Sequence, residues 1–182
     1  FTMMRAMGVT KLSPEKIKVH TTYLGGGFGR KVEYDFITAP LIASKVLRKP
    51  VKITWTREED TRHDFYRPPF LIHMNIGLDV HGMPLGLRTK LVGPAVSRRW
   101  QMPPPWLEEN GYDWVVTIGM FDGYNLPNRT PGLSKAYAIP NLQVDFVPSD
   151  IKVPTGAWRS IGTSHNTFAL ESALDEVAHA GG

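Results

Sequence analysis

The chain has 182 residues, of which 42% are hydrophobic and 21% charged, a balance that allows a hydrophobic core and argues against global disorder. It contains no cysteine, which excludes disulfides, thiolate metal sites, a cysteine nucleophile and any iron–sulfur cluster ligated by this chain. The net charge of +4 fits either a solvated basic surface or attraction to anionic partners. No apolar run reaches the roughly 18 residues needed to span a membrane.

The first part of the chain predicts a unit of strand, glycine loop, helix and strand. Alternating residues over 16–24 predict a strand, which runs into the glycine-rich segment 25–29. Apolar residues at helical spacing predict an amphipathic helix over 33–49, and a second strand is predicted over 51–56. The charged segment 56–69 ends in two prolines and is predicted to be a loop.

The second part predicts a hairpin, a long irregular region, a strand and a helix. Two alternating runs within 70–93 flank a turn at 79–82. Residues 94–140 are rich in proline, glycine and aromatic residues and show little periodicity, which is typical of a functional loop or an interface. A strand over 142–148 and a helix over 164–180 follow. Together these elements predict an α+β fold with a mixed sheet, hairpins and two main helices.

The C-terminal helix has a predicted start and a predicted buried face. Ser164 or Asn166 is expected to cap its N-terminus. Its buried side is expected to consist of five apolar residues: Phe168, Leu170, Ala173, Leu174 and Val177.

The glycine loop 25–29 is the most unusual stretch of the sequence, because four of its five residues are glycine. A dinucleotide-binding fingerprint would need a further glycine at position 30, where Arg30 stands, and the following Lys31-Val32 does not complete a P-loop. Unobstructed N–H groups between a strand and a helix can still converge on an anion or a polar ligand. The alternative is a glycine turn that packing alone requires.

A second polar cluster spans residues 154–172 and surrounds Arg159 just before the C-terminal helix. It is not a hydrolase nucleophile elbow, since Ser164 is followed by His165-Asn166 in place of the expected glycine pattern. A guanidinium and several hydroxyl and amide donors at a helix start suit an oxyanion or a phosphate. Helix capping beside a surface arginine is the simpler alternative.

Other features leave different classes of function open. The six histidines show no metal-ligand spacing, and the acids of 57–60 suit a solvated loop. An anion- or single-stranded nucleic-acid-binding module could use the aromatic residues of 100–124 as a stacking surface. The cations of such a module would be Arg30, Lys31, Arg98 and Arg99. A structural domain that docks an electron-transfer partner is a third possibility.

Three stretches of the sequence together resemble a known family. They are "GGGFGR", "PVKITWTREED" with its downstream "HDFYRPP", and "GAWRSIGTSHNTFALESALDEVAHAGG". This combination resembles the molybdenum-binding subunit of the xanthine oxidase/aldehyde oxidase family, in particular the branch of isoquinoline 1-oxidoreductase β-subunits and membrane-associated aldehyde dehydrogenases. The resemblance runs from about residue 17 to the end of the sequence.

The resemblance implies a fold, a reaction and partners. It implies part of a molybdopterin-binding domain in an oxidoreductase that hydroxylates N-heterocycles or oxidises aldehydes, with water as the oxygen source. The implied cofactor is molybdenum on a pterin dithiolene, in the cytosine dinucleotide form. Electrons would pass to a small [2Fe–2S] subunit, no nucleic acid is an expected partner, and any membrane association would be indirect. The branch suggests the bacterial periplasm or cytoplasm.

The resemblance also implies which residues contact the cofactor. In the family, the phenylalanine of the glycine motif presents its backbone to an oxo ligand of molybdenum, and that residue is Phe28 here. The family's second motif places its arginine at Arg159, while Ser160 and Ile161 replace the commoner Gly-Phe pair, which argues against a purine substrate. The full implied set is Gly26, Gly27, Phe28, Gly29, Arg30, Arg159, Ser160, Ile161 and Gly162.

One family residue has no counterpart in this sequence. The catalytic base of the family is a glutamate in a Gly-Val-Gly-Glu motif, which is expected beyond Gly182. The 182 residues are therefore expected to be one segment of a larger molybdenum-binding subunit. No residue of the segment is expected to be catalytic or to ligate a metal, and the isolated segment is expected to be inactive.

Overall fold

The computed structural model describes residues 2–96, 113–117 and 137–181. The chain forms two compact units. The first consists of Phe1–Tyr66 with Gly156–Trp158, and the second of Arg67–Thr155 with Arg159–Gly182. The predicted irregular region 94–140 therefore lies largely outside the described residues.

The first unit is helical where it is regular. Helix α1 spans Thr2–Thr10 and packs against helix α2, which spans Asp35–Leu47. A third helix, α3, spans Arg57–Arg62, and short 3₁₀ turns occur at Pro14–Lys16 and Arg30–Val32. The structure thus confirms the helix predicted over 33–49, while α1 has no counterpart among the predicted elements.

Helix α2 begins and ends as local chemistry requires. It starts at Asp35, whose negative charge favours a helix N-terminus, and stops where Arg48 turns left-handed with φ +52°. Pro40 lies inside the helix and removes the N–H that would bond the carbonyl of Phe36. None of the residues of α2 is fully buried, although the segment is largely apolar.

The strands predicted over 16–24 and 51–56 are wrong. Neither segment joins a sheet, since every strand in the described ranges belongs to the three-stranded sheet of the second unit. An isolated run of alternating residues gains no ladder hydrogen bonds, so its pattern alone does not hold it in a strand. Most residues of both segments are exposed.

The loop predicted over 56–69 is also wrong, because α3 forms within it. Thr56 caps this helix, and its side-chain oxygen accepts a hydrogen bond from the Glu59 N–H at 3.2 Å. Threonine followed three residues later by glutamate is the sequence pattern of a capping box. This pattern is a local signal for a helix start.

The second unit contains a mixed three-stranded sheet. Strand β1 (Leu71–Leu78) pairs antiparallel with β2 (Pro84–Gly93), and β2 pairs parallel with β3 (Asn141–Pro148). The predicted hairpin is confirmed: Gly82 takes φ +78° in the turn, and Asp79 Oδ1 accepts hydrogen bonds from two amides of that turn. Helices combined with a mixed sheet confirm the α+β class.

A long C-terminal helix packs on this sheet. Among the described residues, the short helix α4 spans Trp114–Thr117 and helix α5 spans Gly162–Gly181. The core between sheet and helix is built around Leu87, Ile139 and Leu170. Partly buried apolar residues surround these three: Ile72, Met74, Ile76, Leu142, Val144, Ala169 and Leu174.

Helix α5 starts earlier than predicted, which changes the role of its first residues. Ser164 and Asn166 lie within its first turns and are not its N-cap. The buried Asn166 amide donates a 2.7 Å hydrogen bond to the carbonyl of Val116 in α4. Phe168 is 75% exposed, contrary to its predicted burial, because it lies about 200° around the helix from the buried Leu170.

Candidate functional site

The glycine loop of the first unit adopts backbone conformations that side chains disfavour. Gly25, Gly26 and Gly29 have φ values of +66°, +111° and +95°. Phe28, between them, has φ +49°, which is uncommon for a residue other than glycine. The loop then closes into the 3₁₀ turn, where the Arg30 N–H donates to the carbonyl of Gly27 at 2.8 Å.

The glycines let another backbone segment approach the loop closely, in addition to letting the loop bend. A β-carbon at residue 29 would lie 2.7 Å from Cα of Trp158 and 2.8 Å from the carbonyl carbon of Ala157. No side chain fits there, since real β-carbons do not approach backbone atoms so closely. At Gly25 the same position is open, with nothing within 4 Å. The loop is therefore seated on the 156–158 backbone at one end and open at the other.

The backbone donors of the loop are available to a ligand. Within the described part of the chain, no group accepts a hydrogen bond from the N–H of Gly26, Gly27, Phe28 or Gly29. The Phe28 side chain is 69% exposed, so this end of the loop is at the surface of the unit. A run of unpaired amides in a glycine loop is suited to an oxyanion or another strong acceptor.

Arg30, which follows the loop, is engaged within the protein. Its guanidinium makes two hydrogen bonds to the Asp35 carboxylate, at 2.9 and 2.7 Å, and an ion pair with Asp64 at 2.6 Å. The Phe65 ring centroid lies 5.1 Å from its central carbon. The neighbouring Lys31 ammonium donates to the carbonyl of Leu24. These contacts hold the C-terminal end of the loop in place. The positive charge of Arg30 is paired with carboxylates of the same unit.

The Arg30–Asp35 pair predicts a decline of stability in acid. Burial raises the pKa of Asp35, but the hydrogen bonds and charge of Arg30 outweigh it and leave that pKa below its ordinary value. The pair's stabilisation is therefore complete above the ordinary aspartate pKa and is lost as the pH falls from about 4 through the lowered pKa. Urea unfolding of the wild type and of Asp35→Asn measured from pH 7 to 3 should show a smaller acid loss in the variant. An equal loss in both would contradict this assignment.

The second motif also contains residues with left-handed backbone. Ser160 has φ +69° and Ile161 has φ +45°, and α5 begins directly afterwards at Gly162. A β-branched residue such as isoleucine rarely adopts positive φ, so this turn stores backbone strain. Such strain concentrates at functional sites, where surrounding contacts over-determine the conformation.

Arg67 holds this turn from within the second unit. Its guanidinium donates to the carbonyl of Arg159 at 3.1 Å and to the Ser164 hydroxyl at 3.2 Å. Nothing in the local pattern around Arg67 predicts this, because the contacts span more than ninety positions. The Arg67 charge also acts on His165: burial first, and then this charge, lower the pKa of that imidazole.

Arg159 differs from Arg30 in what it touches. Its side chain is exposed, and it makes no hydrogen bond or ion pair with any residue in the described ranges. Its carbonyl is held by Arg67, so the backbone is fixed while the guanidinium is available. Of the two arginines predicted to contact a cofactor, Arg159 is therefore the one whose planar donor is available to an anion.

The strain at the second motif can be tested by a substitution. Ser160→Gly should raise the free energy of unfolding by about 0.5–1 kcal/mol, since glycine adopts φ +69° without a β-carbon clash. Ser160→Ala keeps the clash and should change stability little. Thermal denaturation of the three proteins measures this, and a glycine variant less stable than the alanine variant would contradict the strain.

His165 is part of the packing of the second unit. Its ring stacks on Phe70 with centroids 4.1 Å apart, and one ring nitrogen lies 3.3 Å from the Val116 carbonyl oxygen.

The described residues hold no cluster of three or more histidine, aspartate or glutamate side chains suited to a metal ion. None of the helices described is both long and apolar enough to cross a membrane.

The structure thus sorts the predicted site residues into two sets. Gly26 to Arg30 lie in the first unit together with Gly156–Trp158, and Arg159 to Gly162 lie in the second. The predicted nucleic-acid surface cannot be placed in the same way, because Arg98, Arg99 and most of 100–124 fall outside the described residues.

Comparison with known proteins identifies the family. Residues 2–95 match the model of the molybdopterin cofactor-binding domain. The chain is 25% identical over 174 residues to the isoquinoline 1-oxidoreductase subunit beta of Brevundimonas diminuta, covering 95% of this chain and 20% of that protein. It is 26% identical over 180 residues to the aldehyde oxidoreductase molybdenum-binding subunit PaoC of Escherichia coli K12, covering 94% and 20%.

A third relative has the highest identity of the three. A probable xanthine dehydrogenase subunit of Bacillus subtilis is 29% identical over 174 residues, covering 90% of this chain and 20% of that protein. The chain therefore spans about a fifth of the length of these relatives. The family match covers just over half of the 182 residues and includes the whole glycine loop. The chain belongs to the molybdopterin cofactor-binding domain family, within the molybdenum-binding proteins of the xanthine oxidase type.

Proposed function

We propose that this chain forms part of the molybdopterin site of a molybdenum hydroxylase that hydroxylates N-heterocycles or oxidises aldehydes. One observation carries the proposal: four successive N–H groups of the glycine loop, from Gly26 to Gly29, have no acceptor among the described residues. Residues 26–29 lie within the matched cofactor-binding domain, which supports a cofactor as their acceptor.

The residues present fit a bound, anionic pterin cofactor. The left-handed φ of Phe28 sets the direction of its N–H, which would donate to an oxygen ligand of the metal. Gly27, without a side chain, keeps the adjoining backbone accessible. The bound cofactor supplies the two-electron redox chemistry that converts a substrate C–H bond into C–OH with oxygen from water. This chain's contribution is to bind and orient.

Substrate, cofactor form and partner follow by analogy with the relatives. The names of the relatives refer to isoquinoline, aldehyde and xanthine. Ser160 and Ile161, in place of Gly-Phe, favour the first two over a purine. We further propose the cytosine dinucleotide form of the cofactor and a [2Fe–2S] partner subunit that accepts the electrons. The catalytic glutamate base would come from outside these 182 residues, so the isolated chain should show no turnover.

Analysis of the purified full-length protein tests the proposal. Molybdenum by mass spectrometry, the fluorescent oxidised pterin, and CMP released by hydrolysis report the metal, the pterin and the nucleotide separately. Turnover of isoquinoline and of aromatic aldehydes in ¹⁸O-water should place ¹⁸O in the product. Full-length protein without molybdenum or pterin under conditions that load a known relative would contradict the proposal, and turnover by the 182-residue chain alone would contradict the external base.

A further inference from the structure

We propose that Glu33 is a positioning residue that locks the 156–158 backbone against the glycine loop. This inference rests on the proposed function, since it concerns how the proposed cofactor site is held in shape. Glu33 lies three residues beyond Arg30 and belongs to the same unit as the loop. It is not among the residues expected to contact a cofactor, and nothing places it in contact with one.

The central contact joins two distant parts of the sequence. Glu33 is a buried carboxylic acid, only 3% exposed, and its Oε1 accepts a 2.9 Å hydrogen bond from the Ala157 N–H. The two residues are 124 positions apart. A buried carboxyl is costly unless polar partners satisfy it, so this side chain is held where the main-chain donor is. The contact therefore fixes the register of the 156–158 segment.

The neighbours of this contact pack closely around it. A β-carbon at Gly156 would overlap the Glu33 carboxylate and would lie 2.7 Å from Cβ of Phe65. The Gly156 N–H donates to the carbonyl of Tyr66 at 3.1 Å. From the other side, Gly29 meets Ala157 and Trp158 backbone to backbone. Glu33 and Phe65 thus supply the side chains of a clamp whose other parts are main chain.

The clamp has a consequence for the loop's donors. Gly29 adjoins Phe28, so the position of the 157–158 backbone limits where the Phe28 N–H can point. Releasing the segment would let the loop relax away from its positive φ values, which carry a cost that surrounding contacts must hold. Glu33 would then act on cofactor retention through the loop, without touching the cofactor.

The test separates this contact from general stability. In the full-length protein, Glu33→Leu removes the acceptor, while Glu33→Gln retains an Oε1 oxygen for the Ala157 N–H. Hydrogen exchange followed by mass spectrometry should show the peptide carrying the Ala157 amide exchanging roughly tenfold faster or more in the leucine variant, and near wild type in the glutamine variant. Molybdenum content should fall with the leucine variant and be largely retained with glutamine.

Two further variants separate loss of this contact from misfolding and from general destabilisation. Gly156→Ala displaces the Glu33 carboxylate from the opposite side and should also speed hydrogen exchange at the Ala157 amide. This variant tests the contact if Glu33→Leu does not fold. Leu170→Ala, in the core of the other unit, lowers stability without touching the clamp and should leave exchange at Ala157 unchanged. Unchanged exchange at Ala157 in Glu33→Leu or Gly156→Ala would overturn the inference. Failure of the proposed function would appear differently, as wild-type protein without molybdenum.

Discussion

Replacing Phe28 with proline is expected to remove molybdenum and pterin from the full-length protein. Proline has no N–H and fixes φ near −65°, whereas Phe28 has φ +49°. A hydrogen bond to a charged group is worth about 1.5–3 kcal/mol, so losing this donor and its direction should lower cofactor affinity roughly tenfold or more. Metal and pterin content after gel filtration measure the effect.

Phe28→Gly is the matched control for this change. Glycine keeps the N–H and adopts φ +49° readily, so cofactor content should be close to wild type although the exposed ring is lost. Retention in the glycine variant with loss in the proline variant would assign the effect to the backbone. Equal cofactor content in the proline variant and the wild type would show that the Phe28 amide does not hold the cofactor.

Gly29→Ala is expected to destabilise the first unit strongly. Alanine at φ +95° would be strained, and its β-carbon would lie 2.7 Å from the Trp158 backbone, which cannot move aside as a flexible side chain can. We expect the free energy of unfolding to fall by about 2–4 kcal/mol. Chemical denaturation followed by circular dichroism measures the change.

Gly25→Ala provides the comparison, because it shares the positive φ without the contact. Its φ is +66° and no atom lies within 4 Å of the added carbon. The expected cost is only about 1–2 kcal/mol, that of a left-handed alanine. If the two variants lost the same stability, the close approach at Gly29 would be excluded as the reason for glycine there.

The elements that the sequence predicts correctly are those whose pattern is local. The helix of 33–49, the hairpin of 70–93 and the C-terminal helix each carry periodicity, turn residues or end signals within their own span. Helix α3 is also predictable in principle, since Thr56 and Glu59 form a capping box. The high charge of that segment favours a loop instead, which is why the helix is missed.

The elements predicted wrongly depend on partners that the pattern does not reveal. Residues 16–24 alternate like a strand, but alternation does not supply a neighbouring strand, and among the described residues none pairs with them. The prediction that Phe168 is buried is wrong for a related reason. The apolar face of α5 is set by where the sheet lies against it, and Phe168 lies outside that face.

For the candidate site, the sequence predicts where the motifs lie better than it predicts which partners their side chains contact. Arg30 and Arg159 look alike as cations beside glycines, yet Arg30 is held by Asp35 and Asp64, while Arg159 has no such partner among the described residues. Only the tertiary structure brings Asp64 to Arg30. The same holds for Glu33 and Ala157, whose contact spans most of the chain.

Anomalous diffraction at the molybdenum absorption edge, from crystals of the cofactor-loaded full-length protein, tests the central claim most directly. We predict an anomalous peak facing the glycine loop, with the Phe28 nitrogen about 3 Å from an oxygen ligand of the metal. A peak remote from residues 26–29, with the Phe28 N–H directed at protein or bulk water, would contradict the claim that this loop holds the cofactor.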